Sequence, residues 1–200
     1  MSQTNDEPLL NSRFASALSF ANTIHSRQVR KGAGVPYISH LMSVSAAVLE
    51  NVGGESEAVA ALLHDSAEDC GGKAMLDMVR TLFGDDVADI VESCTDTFVE
   101  PKPAWRPRKE AYVAHLREAS PSAKLVAGCD KLHNLNSTLK DLRKGQPADY
   151  WSRFTAGAAE QLWYYGACLD AFSDSPVADE FRRSYVEFKK VLQERGDVPG

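Results

Sequence analysis

The chain has 200 residues, of which 44% are hydrophobic and 25% charged, and its formal net charge is −6. These values are typical of a folded globular protein and exclude a disordered, fibrous or disulfide-scaffold protein. The negative charge argues against general nucleic-acid binding, which needs a broad cationic surface. The length suits a single domain over residues 1–200, with a core at about 12–172 and a C-terminal helix at about 177–195.

Membrane and export signals are not found in the sequence. The longest apolar run, Ala58 to Leu63, is far shorter than the ~18 residues that a membrane helix needs, and the first residues contain no basic or apolar signal region. The four cysteines are scattered without a CxxC pair, as is usual for reduced thiols in the cytosol. We therefore predict a cytoplasmic protein without membrane contact. The sequence indicates no particular oligomeric state, so a homo-oligomer stays open.

Helical periodicity dominates the chain, and no alternating segment is long enough to predict a strand. We therefore predict an all-α bundle of about nine helices. The first predicted helix begins after a capping residue at Asn11 or Ser12, and the second lies between Ser39 and Gly53. The intervening segment 30–36 contains two glycines and a proline, and it is predicted as a loop.

The third predicted helix, 55–69, contains an AVAALL run that is apolar on all sides, which is typical of a buried central helix. Two further helices are predicted at about 73–83 and 85–97. The prolines of segment 99–107 predict a loop whose basic side chains reach outward, and this loop could act as a lid. The remaining helices are predicted at about 108–119, 122–144, 150–172 and 177–195.

The end of the third predicted helix carries four polar groups in the sequence LLHDSAED. His64 and Glu68 lie one helical turn apart, as do Asp65 and Asp69. Charged groups are rarely buried unless they are paired or bind a metal, because removing a lone carboxylate from water is costly. The alternative is a helix end that emerges into solvent. On an apolar helix, the complete set favours a functional site.

A second polar set occurs in GCDKLHNL, where Asp130 and Asn134 lie one turn apart. With the first set, it offers both nitrogen and carboxylate ligands, a combination that suits Mn²⁺, with Fe²⁺ or Zn²⁺ as alternatives. A further histidine ligand could be His25 or His40, and the periodicity does not distinguish them. A lone histidine on an apolar helix face more often packs in the core.

Three segments, HSRQVRKGAGVPYISH, LLHDSAED and CDKLHNL, occur in this order with helices between them. Over about residues 14–165 the chain resembles the HD-superfamily hydrolase domain of the Rel/SpoT homologues and the free-standing small alarmone hydrolases. The resemblance implies an HD-domain fold. It also implies a metal-dependent 3′-pyrophosphohydrolase that converts guanosine tetra- and pentaphosphate into pyrophosphate and GDP or GTP. The implied partner is a small nucleotide.

The resemblance also implies roles for individual residues. The implied metal ligands are His40, His64, Asp65 and Asp130. The residues implied in hydrolysis are Glu68 and Asp69. The implied substrate contacts are Arg30, Lys31, Asn134, Ser137 and His25.

Two positions depart from the family pattern: Asn136 stands where arginine is common, and Ser137 where threonine is common. These departures keep open the hydrolysis of another nucleotide, such as an adenosine alarmone, NADPH or an ordinary nucleotide. A non-catalytic alarmone-binding module is a more distant alternative. The intact metal-binding and Glu-Asp motifs weigh against it.

The implied chemistry agrees with the residue types. A divalent ion polarises a phosphoryl oxygen and acidifies a bound water, while Glu68 and Asp69 could orient that water and take its proton. Arg30 and Lys31 could offset the phosphate charge in an acidic protein, with the basic residues of segment 106–109 as further candidates. For either basic cluster taken alone, solvated loop charge is the alternative interpretation.

Overall fold

The computed structural model describes residues 9–31, 34–99, 101–145 and 147–200. Regular structure in these ranges is helical, apart from an isolated antiparallel bridge between Val29 and Pro36. The predicted all-α bundle of about nine helices is confirmed, with two of the predicted helices each divided in two. The α-helices of the described ranges are α1 (Ser12–Ile24), α2 (Ile38–Glu50), α3 (Glu55–Leu63), α4 (Ser66–Cys70), α5 (Gly72–Phe83), α6 (Asp85–Cys94), α7 (Trp105–Glu118), α8 (Pro121–Arg143), α9 (Ala158–Ala171) and α10 (Ala178–Arg195), and a 3₁₀ helix spans Ala148–Arg153.

Helix α3 is the centre of the molecule. Its residues from Ala58 to Leu63 are all buried, as the apolar run predicts. The helix packs against α1, α2, α6 and α8, so it holds the elements that carry the polar motifs in a fixed arrangement. None of the described helices combines the length and apolarity that a membrane crossing requires.

The predicted loop 30–36 connects α1 to α2, and its residues 32 and 33 lie outside the described residues. Helix α2 begins at Ile38, one residue before Ser39, the predicted capping residue. The Ser39 backbone N–H donates to the Pro36 carbonyl at 3.1 Å. Ser39 is therefore part of the first turn and does not cap the helix, because the proline already starts the turn.

The third predicted helix is interrupted at His64 and Asp65, between α3 and α4. The His64 Nδ1 lies 2.8 Å from the Ala61 carbonyl oxygen, which the Asp65 N–H would bind in a continuous helix. A side chain thus competes with the backbone for this acceptor. Hydrophobic periodicity does not reveal such a break, because His64 and Asp65 still have helical dihedral angles.

Helix α7 begins at Trp105, three residues earlier than predicted, because Pro107 fits the first turn, where its missing N–H has no partner to lose. Residue 100 of the predicted loop lies outside the described residues. Arg108 and Lys109, which lie on α7 beyond the predicted loop 99–107, turn inward. Both bind Asp96, which follows α6 and has a side chain only 3% exposed.

The predicted helix 150–172 is a 3₁₀ helix followed by α9, and Gly157 precedes the first residue of α9. Helix α10 packs against α8 and α9. Its Phe181, Phe188 and Leu192 side chains are buried and belong to the same hydrophobic cluster as α3. The core therefore extends past the predicted limit at about residue 172.

Candidate active site

Four polar side chains from three parts of the chain meet at one point. His40 comes from α2, His64 and Asp65 from the break between α3 and α4, and Asp130 from α8. The His40 Nε2 lies 3.6 Å from Asp65 Oδ2 and 3.2 Å from Asp130 Oδ1. The His64 Nε2 lies 2.9 Å and 3.5 Å from the same two oxygens. Two nitrogens and two carboxylate oxygens therefore face one another.

The two Nε2 atoms of His40 and His64 are buried and make no aligned hydrogen bond. Two of the four distances to the carboxylate oxygens, 3.2 Å from His40 and 2.9 Å from His64, are nevertheless short enough for a hydrogen bond. Ligand atoms of His40, His64 and Asp65 all lie within 4.8 Å of one another. Unpaired buried nitrogens beside carboxylates fit a divalent metal, which accepts both ligand types.

Each histidine is oriented by a contact from its other ring nitrogen. The His64 Nδ1 donates to the Ala61 carbonyl, which leaves the lone pair on Nε2 for a metal. The His40 Nδ1 lies 2.8 Å from the Nδ1 of His133. Burial, His40 and Arg30 lower the pKa of His133 to about 4, so neutral His133 can accept the His40 proton. Sequence reasoning missed His133, although it lies three residues after Asp130 on the same helix face.

Asp130 is held by two neighbours on its own helix. Lys131 Nζ donates to Oδ2 at 2.5 Å, and Asn134 Nδ2 donates to Oδ1 at 2.6 Å. Burial raises the pKa of the Asp130 carboxyl, but Lys131 and His64 more than offset this and hold the pKa well below its usual range. Asp130 therefore remains a carboxylate anion down to acidic pH.

Asp65 receives a hydrogen bond from a residue outside the cluster of His40, His64, Asp65 and Asp130. Tyr37 Oη donates to Asp65 Oδ2 at 2.6 Å. Burial and the nearby Asp65 raise the pKa of Tyr37, so the hydroxyl stays protonated as a donor. The Tyr37 ring stacks on His25 with centroids 5.3 Å apart. His25 is 3% exposed and does not line the cavity, so it supports Tyr37 from behind instead of facing a substrate.

Glu68 and Asp69 follow on α4, beside the cluster of two histidines and two aspartates. Lys102, from the segment between α6 and α7, donates to Glu68 Oε1 at 2.8 Å. Gln28 Nε2 donates to Asp69 Oδ2 at 2.7 Å. Both carboxylates line the same cavity as Asp65.

The cavity has a volume of about 500 Å³ and a positively charged lining. Four of the five residues implied as substrate contacts line it, His25 being the exception. Its basic residues are Arg30, Lys31, Lys102, Arg108, Lys109 and Lys131. Four acidic residues also line it, so the basic surplus is two (six minus four) in a chain of net charge −6. Seven aromatic side chains complete the wall, namely Tyr37, Trp105, Tyr150, Trp151, Phe154, Tyr164 and Tyr165.

Arg106, a further sequence candidate for phosphate binding, does not line the cavity. It pairs with Glu110 and Glu160 and lies over the Trp163 ring at 3.4 Å from the centroid. In contrast, Arg108 and Lys109 face the cavity because Asp96 draws them inward. The positive charge that this segment offers to an anion therefore comes from Arg108 and Lys109, which Asp96 holds, and not from the exposed Arg106.

We expect divalent metal to bind more tightly as the pH rises. Burial lowers the pKa of His64, but Asp65 and Asp130 outweigh burial and raise it well above its usual range, so the metal must displace a proton. Without metal, this proton stabilises the fold below the ordinary histidine pKa, and the stabilisation is lost as the pH rises through the folded-state pKa. Calorimetric titration with Mn²⁺ in buffers of different ionisation enthalpy measures the proton release, and tight binding without it would contradict the prediction.

The HD domain family matches this chain over residues 17–152. A curated relative, the guanosine-3′,5′-bis(diphosphate) 3′-pyrophosphohydrolase MESH1 of Xenopus tropicalis, is 38% identical over 140 residues, which are 68% of this chain and 72% of the relative. Its Homo sapiens counterpart is 40% identical over the same shares. The family match includes the segments that carry the clustered polar residues.

Solved structures show the same fold. A structure described as a metazoan ortholog of SpoT that hydrolyzes ppGpp has a TM-score of 0.69 and 25% identity, covering 96% of this chain and 99% of that chain. A crystal structure of a Listeria monocytogenes EGD-e protein has a TM-score of 0.65 and 29% identity, covering 73% of this chain and 96% of its own. The fold is therefore shared over 96% of this chain with the first structure and over 73% with the second.

Proposed function

Because this chain belongs to the HD domain family, we propose that it is a metal-dependent 3′-pyrophosphohydrolase of guanosine tetra- and pentaphosphate. The observation that carries the proposal is the meeting of two unpaired imidazole nitrogens and two carboxylates beside Glu68 and Asp69. The curated relatives with this activity align over more than two thirds of both chains, which supports the substrate. The products are pyrophosphate and GDP or GTP, and one water is consumed.

The proposed metal ligands are His40, His64, Asp65 and Asp130, and the proposed ion is Mn²⁺. This set of two nitrogens and two oxygens suits Mn²⁺, while Fe²⁺ and Zn²⁺ accept the same ligands. When bound, the ion polarises a phosphoryl oxygen and lowers the pKa of a bound water. The contacts of Tyr37 and Lys131 support this role, because they keep each carboxylate oriented.

The proposed roles of the remaining residues follow from charge and position. Glu68 and Asp69 orient the attacking water and take its proton, since both are carboxylates on the cavity wall. Arg30 and Lys31 bind the phosphates. Asn134 connects the two regions, because its amide contacts Asp130 while its carbonyl oxygen accepts a 2.8 Å hydrogen bond from Arg30. Substrate binding and metal-ligand position are thereby linked.

Hydrolysis of another nucleotide is the second candidate, and Ser137 favours it. Ser137 lines the cavity, so the loss of the family's threonine methyl group changes the wall that a base or ribose could contact. Asn136 is exposed and does not line the cavity, so its departure from the family pattern carries less weight. A panel of guanosine and adenosine alarmones, NADPH and ordinary nucleotides tests the choice, with the Mn²⁺-loaded protein and pyrophosphate and phosphate release as readouts. We expect the highest kcat/KM with the guanosine alarmones, and a higher value with any other nucleotide would overturn the assignment.

We expect substitutions at Arg30 and Lys31 to differ in effect. Arg30→Lys keeps the charge but loses the planar guanidinium that binds Asn134, so KM should rise and discrimination among nucleotides should fall. Lys31→Ala should raise KM for all polyphosphates alike, because lysine acts as a point charge. Steady-state kinetics across the nucleotide panel measure both effects.

Arg27 offers a matched control, because it is exposed in the same segment and does not line the cavity. Arg27→Ala should leave KM unchanged. Raising the ionic strength should weaken substrate binding more in the wild type than in Lys31→Ala, since exposed charge is screened over ~8–10 Å at physiological salt. Equal kinetics for wild type, Arg30→Lys and Lys31→Ala at low salt would show that these side chains are solvated loop charges that do not bind substrate.

A further inference from the structure

A chain of hydrogen bonds leads from a buried histidine to Asp69. The His25 Nδ1 lies 2.6 Å from Gln28 Oε1, and Gln28 Nε2 donates to Asp69 Oδ2 at 2.7 Å. His25 is 3% exposed, contacts none of the proposed metal ligands and does not line the cavity. The chemistry described above gives no task to His25 or to Gln28.

The hydrogen bonds of this series can be donated in one direction only, from His25 toward Asp69. A carboxylate accepts hydrogen bonds, so the amide group of Gln28 must face Asp69 and its carbonyl oxygen must face His25. His25 must then donate from Nδ1 to the Gln28 carbonyl oxygen. The contacts on either side of Gln28 therefore determine which way its amide is turned.

Gln28 is firmly placed although it lies outside a helix. Its backbone N–H donates to the His25 carbonyl at 2.9 Å, and its own carbonyl accepts from the Tyr37 N–H at 3.0 Å. The His25 ring stacks on Tyr37, which in turn binds Asp65. The hydrogen bond to Asp69 thus comes from the same structure that orients a proposed metal ligand.

Asp69 itself has weak local support. It lies on α4, a helix of five residues that ends at Gly71, whose φ of 150° few other residues adopt. So short a helix does little to fix the direction of a side chain. The 2.7 Å bond from Gln28 engages one carboxylate oxygen and leaves the other for a water.

We propose that Gln28, held by His25, is a positioning residue that keeps Asp69 aimed at the attacking water. This inference rests on the proposed function, in which Asp69 helps to activate that water. Losing a partner of this kind typically costs about 10- to 100-fold in activity. The loss should lower kcat, because Gln28 contacts Asp69, which acts in the proposed chemical step.

The test compares Gln28→Leu with the wild type, and repeats the comparison in an Asp69→Asn background. Gln28→Leu has a similar size and cannot donate. We expect kcat to fall about 10- to 100-fold, with KM and Mn²⁺ affinity within about twofold of the wild type. In the Asp69→Asn background the same substitution should have no further effect, because the group through which it acts is gone.

His25→Phe gives a second variant, since a phenyl ring can still stack on Tyr37 but cannot donate to Gln28. Like Gln28→Leu, it should lower kcat and retain the Mn²⁺ affinity of the wild type. Cys70→Ala is the packing control, because the Cys70 Sγ packs against the His25 ring, 3.6 Å from Nδ1 and 3.8 Å from Nε2, but is not a member of the series from His25 through Gln28 to Asp69. We expect its kcat to match the wild type.

A rise in KM with unchanged kcat for Gln28→Leu would show a direct substrate contact and would overturn the inference. So would an equal loss of kcat in the wild-type and Asp69→Asn backgrounds. If Asp69→Asn is slow while Gln28→Leu and His25→Phe match the wild type, the inference fails and the proposed function stands. If Asp69→Asn itself matches the wild type, the proposed role of Asp69 fails together with the inference.

Discussion

Replacing Glu68 by glutamine or Asp69 by asparagine is expected to lower kcat by about 10²-fold or more. Each substitution preserves the shape of the side chain but removes the group that could take a proton from water. Both residues lie on α4, beyond the proposed metal ligands, so the metal and the nucleotide should still bind. Single-turnover kinetics, together with nucleotide affinity measured by calorimetry, separate the chemical step from binding.

Asp141 supplies a matched control for these two variants. It is a further carboxylate of the same cavity, on α8, and the proposed reaction gives it no role. Asp141→Asn should therefore keep a kcat close to the wild-type value. An unchanged kcat in both Glu68→Gln and Asp69→Asn would refute their part in the reaction.

Loss of the metal is expected to abolish turnover and to lower the melting temperature. A metal that binds the folded state alone stabilises it by about 2.7 kcal/mol at a hundredfold excess over Kd. For a chain of this size, that free energy corresponds to roughly 5–11 °C in melting temperature. Thermal melts with Mn²⁺, and again after chelation, measure the difference.

The same melts distinguish the two histidines that the sequence left as alternative ligands. The His40 Nε2 faces Asp65 and Asp130, whereas His25 contacts Gln28 and Tyr37. His40→Asn should therefore remove the stabilisation by metal, while His25→Phe should retain it. The opposite pattern would contradict the proposed ligand set.

The helices were predictable from the sequence because their apolar positions follow the 3.6-residue period and because glycine and proline mark their ends. Two features did not follow the period. His64 interrupts a helix by binding the Ala61 carbonyl, and a side-chain contact of this kind leaves the apolar pattern unchanged. Arg108 and Lys109 turn inward to Asp96, which lies twelve and thirteen positions before them in the sequence.

The site was predictable in its motif residues but not in its supporting contacts. Periodicity placed Asp130 and Asn134 on one face of a helix, and His133 could have been found there too, three positions after Asp130. The contact between His133 and His40 depends on how α2 packs across α8, and the sequence of either helix alone does not predict that packing. Lys131 follows Asp130 directly and would point elsewhere on an ideal helix, yet its long side chain bends back to the carboxylate.

The central claim is that this metal-binding site removes pyrophosphate from the 3′ position of a guanosine alarmone. The most direct measurement incubates the Mn²⁺-loaded protein with guanosine tetraphosphate and identifies the products by ion-exchange chromatography and phosphorus NMR. The account predicts GDP and pyrophosphate in equal amounts, and no product from a His64→Ala variant. Release of single phosphate groups, or no turnover by wild-type protein with metal bound, would contradict it.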